Sequence, residues 1–85
     1  MSGSASSTQV LLDNRRTPCA VGLIRAARAI RELEPGTVLE IWTRDRVAPV
    51  EIPVWVERDG HELLSIARRG SWPFGYFVAR VRAGG

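Results

Sequence analysis

The sequence predicts an α+β two-layer sandwich of order β-α-β-α-β-β, with a four-stranded mixed sheet and two helices packed on one face. Three observations predict it. Leu23, Ala26, Ala27, Ile30 and Leu33 recur at the three- and four-residue spacing of an amphipathic helix. Thr37 to Thr43 is a β-branched and aromatic run in which Glu40 is the only charged residue, which suits a central strand. A second helical spacing, Ile52, Trp55 and Val56, precedes two strand-like segments at the end of the chain.

Taken in order, Met1 to Thr8 is rich in Ser and Gly and reads as a disordered N-terminal tail, with one domain over residues 9–82. Val10-Leu11-Leu12 is a short apolar run closed by Asp13 and Asn14, the pattern of a buried strand ending in a polar turn. A turn marked by proline, Asn14-Arg15-Arg16-Thr17-Pro18, leads into the first helix at Cys19, with Arg25, Arg28, Arg31 and Glu32 mostly on its polar side. Glu34-Pro35-Gly36 stops that helix, because proline cannot continue the hydrogen-bond ladder and glycine suits the turn. After the Thr37–Thr43 strand, Arg44 to Pro49 reads as a polar loop. Val50 to Gly60 has strand propensity but helical spacing. Pro53 is tolerated in a first helical turn and Gly60 stands where a left-handed cap would, so a short helix is expected. Glu62–Ala67 and Phe74–Val81 complete the sheet, joined by a hairpin connection over Arg68–Pro73.

Composition narrows the chemistry. At 85 residues, 45% of them hydrophobic and 25% charged, the chain is an ordinary small globular protein with one modest core. A single cysteine excludes an intramolecular disulfide. With a single histidine beside it there is no ligand set for a zinc site, so neither staple supports the fold. No apolar run approaches the roughly 20 residues of a membrane span, and the first residues lack the apolar centre of a signal peptide, so the expected location is cytoplasmic. All 12 basic residues are arginine, which rules out Schiff-base chemistry on lysine. The net charge of +3 comes from arginines interleaved with nine acidic residues, and no basic run exceeds the pairs Arg15-Arg16 and Arg68-Arg69. Nucleic-acid binding is only weakly signalled.

Cys19 is the candidate reactive group. The first N–H groups of a helix lack internal partners and the helix dipole adds partial positive charge, so a thiolate there is stabilised. Arg15 and Arg16 lie just upstream and would add Coulombic support on folding back over the sulfur, while Arg25 and Arg28 follow on the helix. The competing reading is a small buried hydrophobe for Cys19 and a solvated helix face for the arginines. Asp13 and Asp45, at the ends of the first two predicted strands, read as turn organisers or as acids. His61 follows the capping glycine and reads as a turn residue rather than a base. Trp42 and Trp55 read as packing residues, whereas Trp72, with Pro73 and Phe74, marks a hairpin tip suited to a protein interface.

Several landmarks stand in a recognisable order: Leu12-Asp13 before Cys19, Leu33-Glu34-Pro35-Gly36 before the second strand, Asp45 after it, Glu51-Ile52-Pro53 at the second helix and Gly60-His61 closing it. In this order and spacing the chain resembles the TusA/SirA-like sulfur-carrier family from Val10 to about Arg82. Where that family has Cys-Pro-x-Pro, this chain reads Cys19-Ala20-Val21-Gly22, with Pro18 ahead of the cysteine. Arg16-Thr17 replaces its Gly-Leu, and Glu51 its Asp. The lost prolines predict a looser first turn, since Gly22 costs up to about 1 kcal/mol of helix stability relative to alanine.

The resemblance implies a sulfurtransferase-type sulfur carrier. Cys19 would take sulfur as a persulfide from a donor protein of the cysteine desulfurase or rhodanese type and pass it to an acceptor protein. Asp13, Arg15, Arg16, Arg25, Asp45 and Glu51 would form the binding surround, with no cofactor, metal or membrane involved. Two alternatives stand beside it. One is a non-catalytic adaptor or regulator on the same fold. The other is an RNA-binding module, because the topology also resembles the C-terminal domain of a bacterial translation initiation factor.

Overall fold

Strand β1 (Gln9–Asn14) leads through a tight turn into helix α1 (Cys19–Arg31), followed by β2 (Val38–Thr43), helix α2 (Ala48–Arg58), β3 (Glu62–Arg69) and β4 (Tyr76–Arg82). The computed structural model describes residues 9–71 and 75–84, with Cys19 and Ala20 described by their backbone. The expected tail over residues 1–8 and the hairpin tip at Trp72-Pro73-Phe74 lie outside the described residues. The four strands form one mixed sheet in the order β1-β2-β4-β3. β1 runs parallel to β2, and β4 is antiparallel to both β2 and β3. Both helices pack on one face, as the sequence predicts.

Alternation along β2 decides which residues meet the helices. Leu39 and Ile41 enter a core with Ala26 and Ile30 of α1, Ile52, Trp55 and Val56 of α2, and Ala79 and Val81 of β4. Trp55 is 2% exposed, and its indole N–H donates to Asp59 Oδ2 at 2.8 Å, so the largest core side chain leaves no polar atom without a partner. The intervening residues Glu40 and Trp42 lie on the face away from the helices. Glu40 is buried there nonetheless. Its carboxylate accepts hydrogen bonds from Trp42 Nε1 at 2.6 Å, Gln9 Nε2 at 2.7 Å and Arg80 Nε at 3.0 Å. The bond from Trp42 first, then the bond and charge of Arg80, hold its pKa below the ordinary glutamate value against the opposing effect of burial. A charge-assisted network thus ties β1, β2 and β4 together on the uncovered face.

The elements depart from expectation at their ends. β1 continues through Asp13 and Asn14, which the sequence assigned to a turn, because parallel pairing with Trp42 and Thr43 carries the strand onward. α2 starts at Ala48, inside the expected polar loop. Ala48 is buried and the Asp45 carboxylate accepts from the Val47 N–H at 3.1 Å, so the helix begins earlier. Pro49 then occupies the first turn and Pro53 the interior, where its ring removes one helix hydrogen bond. β3 runs on to Arg69 because Arg68 and Arg69 still pair with Phe77 and Tyr76. α1 ends at Arg31, short of the expected stop at Glu34-Pro35-Gly36; Gly36 (φ 92°) serves the turn closed by the Thr37 N–H on the Glu34 carbonyl at 3.0 Å, whereas Gly60 (φ 78°) follows the cap of α2 in the expected left-handed conformation.

No described helix is long and apolar enough to cross a membrane.

Leu39 is fully buried whereas Leu11 is 52% exposed. Leu39→Ala is expected to lower unfolding stability by about 2–5 kcal/mol and Leu11→Ala by roughly 0.5 kcal/mol, measured by urea titration.

Candidate functional site

The parallel pairing of β1 with β2 brings two strand C-termini and two helix N-termini to one end of the sheet. Asn14, the last residue of β1, pairs with Thr43, the last of β2, and Cys19 opens α1 two residues beyond the Asn14–Thr17 turn. The turn closes with the Thr17 N–H donating to the Asn14 carbonyl at 3.0 Å. Pro18 is the N-cap and supplies no side-chain cap, and the first turn of α1 contains no acidic residue. The first helical bond of the backbone runs from the Gly22 N–H to the Pro18 carbonyl at 2.7 Å. The N–H groups ahead of it therefore have no acceptor within the helix, and no acidic side chain of that turn offsets the dipole.

Asn14 is buried, and its Nδ2 donates to the Gly22 carbonyl at 2.9 Å. Gly22 permits this approach, since a Cβ there would stand 3.3 Å from that same nitrogen. The sequence assigned Asn14 to a polar turn and Gly22 to a helix weakened by glycine, and missed that they touch. A glycine inside a helical pattern is the signal available, because it often marks a close approach. Asn14, Thr17 and Gly22 line one side of a cleft whose other side is Thr43, Asp45 and Glu51, with about 20 Å³ of free space, enough for one water molecule.

The other predicted site residues gather around this end with different attachments. Asp13 and Arg15 form a two-pronged ion pair, with Arg15 Nε donating to Oδ1 at 2.9 Å and Nη2 to Oδ2 at 2.8 Å. The Arg15 backbone N–H also donates to Oδ1, at 3.1 Å. Chiefly through the side-chain bonds, the Asp13 pKa is lowered to about 2. Asp13 is thus fixed as a carboxylate at neutral pH. The Arg15 guanidinium lies 4.7 Å from the centre of the Trp42 ring and 5.1 Å from that of Tyr76, on the uncovered face of the sheet. Arg16 is exposed and lines an open cleft with Asp13, Arg15 and Arg44. Arg25 reaches back along α1, where its Nη1 donates to Thr17 Oγ1 at 2.9 Å, and Arg28 lies exposed in the last turn. Asp45 serves the start of α2. Its backbone N–H donates to Thr43 Oγ1 at 3.2 Å and its carbonyl accepts from the Ala48 N–H at 3.1 Å. Glu51 stands in the first turn of that helix.

His61 is not brought to this end. Its Nδ1 accepts from the Gly84 N–H at 2.9 Å, and Gly84 follows β4 beside the start of β2, at the far end of the sheet. Among the described residues, no group of three or more His, Cys, Asp or Glu is placed to hold a metal ion.

Residues 10–83, from β1 to just beyond β4, match the profile of the family described as sulfurtransferase TusA. The chain belongs to the TusA family. It is 36% identical over 59 residues to a protein of Thermotoga maritima named as a candidate sulfur carrier, which covers 69% of this chain and 75% of that one. A candidate sulfur carrier of Bacillus subtilis, YrkI, is 32% identical over 60 residues, covering 71% of this chain and 80% of its own length. One from Archaeoglobus fulgidus is 30% identical over 59 residues, covering 69% of this chain and 81% of its own. The TusA match thus takes in every element that builds the Cys19 end of the sheet.

The Asp13–Arg15 pair makes a signed prediction. Because the folded-state pKa lies below the ordinary value of 3.8, its stabilisation is present above that pH and fades as pH falls from there towards about 2. Both side chains are partly exposed, at 39% for Arg15 and 44% for Asp13, so solvent screening keeps the effect small. Urea midpoints of wild type and Asp13→Asn, taken from pH 7 down to 2, are expected to differ at pH 7 and to converge over that acid window.

Proposed function

We propose that this chain is a sulfur carrier in which Cys19 holds the transferred sulfur as a persulfide. The observation that carries this reading is the place of Cys19, the first residue of α1, beyond the ends of parallel strands β1 and β2, where unpaired helix amides and the helix dipole favour an anionic sulfur. Membership of the TusA family and the names of the related proteins support the same role.

The chemistry needs one nucleophilic sulfur and no bound cofactor. The Cys19 thiolate attacks the terminal sulfur of a donor protein's persulfide. A new S–S bond forms to Cys19, the donor's S–S bond breaks, and the donor leaves as a thiolate with the terminal proton retained on the transferred sulfur. In the second half an acceptor thiolate attacks that same terminal sulfur and Cys19 leaves as a thiolate. Sulfur changes hands without net oxidation, so the donor and acceptor are both proteins bearing reactive sulfur, a cysteine desulfurase or rhodanese type on the donor side.

The surroundings suit protein partners. Val21 and Ile24 on α1 are about half exposed, and Val47, Val50 and Val54, at the start and along the outer side of α2, are 45%, 68% and 61% exposed. Exposed aliphatic side chains beside Arg25 and Arg28 offer a mixed apolar and basic surface to an acidic partner. The uncovered sheet face supports the RNA reading poorly, since Arg15, Arg80 and Arg82 there are paired with Asp13, Glu40 and Glu62.

Incubation with an active cysteine desulfurase and cysteine, followed by non-reducing mass spectrometry, is expected to add one sulfur to wild type and none to Cys19→Ser, with the gain reversed by dithiothreitol. No gain on wild type from a demonstrably active donor would replace the carrier with an adaptor on the same fold.

A further inference from the structure

Asn14 holds the segment that carries Cys19 at both of its ends. Its backbone carbonyl accepts from Thr17 at 3.0 Å, before the cysteine, and its side-chain Nδ2 donates to the Gly22 carbonyl at 2.9 Å, after it. The same Gly22 bonds through its N–H to Pro18 at 2.7 Å. Residues 14–22 are thereby closed into a clasp around the first turn of α1. Asn14 is 2% exposed, and a side-chain amide is costly to bury unless its bonds matter to the packing around it. Its Oδ1 is the buried side-chain oxygen that no protein donor reaches among the described residues, and Asn14 borders the cleft with room for one water.

We propose that Asn14 is a positioning residue for Cys19, holding the first turn of α1 and, with it, the free backbone amides of the turn that Cys19 opens. A hydrogen bond does here what a proline in the first turn does by fixing φ. The adjoining cleft is large enough for a water that would donate to Oδ1. The proposal rests on the reading of Cys19 as the carrier. It is tested by quantities that do not require sulfur transfer.

The experiment measures two properties of the whole chain, the pH dependence of Cys19 alkylation by iodoacetamide and residue-resolved amide hydrogen exchange. In Asn14→Ala the Gly22 amide is expected to exchange about five-fold faster, while Leu39 and Val81 keep their wild-type protection relative to one another and to the global opening of each protein. The alkylation midpoint is expected to rise by about half a pH unit as the anion loses part of its amide support. Should Asn14→Ala not fold, Asn14→Ser is read in the same way. An unchanged midpoint with unchanged Gly22 exchange overturns the proposal. So does uniform loss of protection without a midpoint shift, which marks Asn14 as a core residue only. Failure of wild type to accept sulfur removes the carrier reading and leaves these two measurements standing.

Discussion

The parallel register of β1 on β2 is the constraint on which the remaining arrangement depends. Parallel neighbours need a crossover, and α1 supplies it, so its N-terminus has to begin where β1 ends. The pairing of Asn14 with Thr43 fixes how far each strand runs before the chain turns. Leu39 and Ile41 then point to the helices, and Glu40 and Trp42 to the other side. Shifting the register by one residue would exchange those two sets and place the glutamate in the apolar core.

Two kinds of interior hold this frame. On the helix side the contacts are aliphatic and aromatic, with Ile30, Trp55 and Val81 nearly free of solvent. On the open side the binding is polar, centred on a carboxylate with three donors drawn from three strands. The second kind stays wet at its margin, where Arg80 is 45% exposed. It limits how strands β1, β2 and β4 can slide, because few other placements give Glu40 all its donors. At the Cys19 end the same economy recurs. Asp13 consumes the charge of Arg15, so the basic character there depends on arginines such as Arg16 and Arg25.

Much of this was legible in the sequence. Element order followed from spacing and from turn residues, since Leu23 to Leu33 and Ile52 to Val56 show a helical period and Thr37 to Thr43 shows a strand. Gly60 marked the end of α2 correctly because its conformation is a local property of the chain, whereas α1 ends at Arg31, ahead of the turn that holds Gly36. Element ends were less legible where distant pairing decides them: β1 outlasts its apolar run through contact with β2, and α2 starts at a buried alanine in a stretch of polar appearance. The site was legible as a set of neighbours in sequence. Which arginine faces where was not, because the Asp13–Arg15 pair and the ring of Trp42 settle it only after folding. The bond between Asn14 and Gly22 spans eight positions and has no periodic signature.

That bond has a consequence for how such a chain can vary over time. Any side chain at position 22 would meet the Asn14 amide at 3.3 Å, so a larger residue there is disfavoured while Asn14 remains. Losing Asn14 first leaves a glycine in a helix with nothing holding it, which is the weaker helix former left exposed to its own flexibility. Each change is therefore tolerated best in the presence of the other, and the two positions are epistatic. The order in which the two positions change therefore matters to stability, although neither change alone is barred.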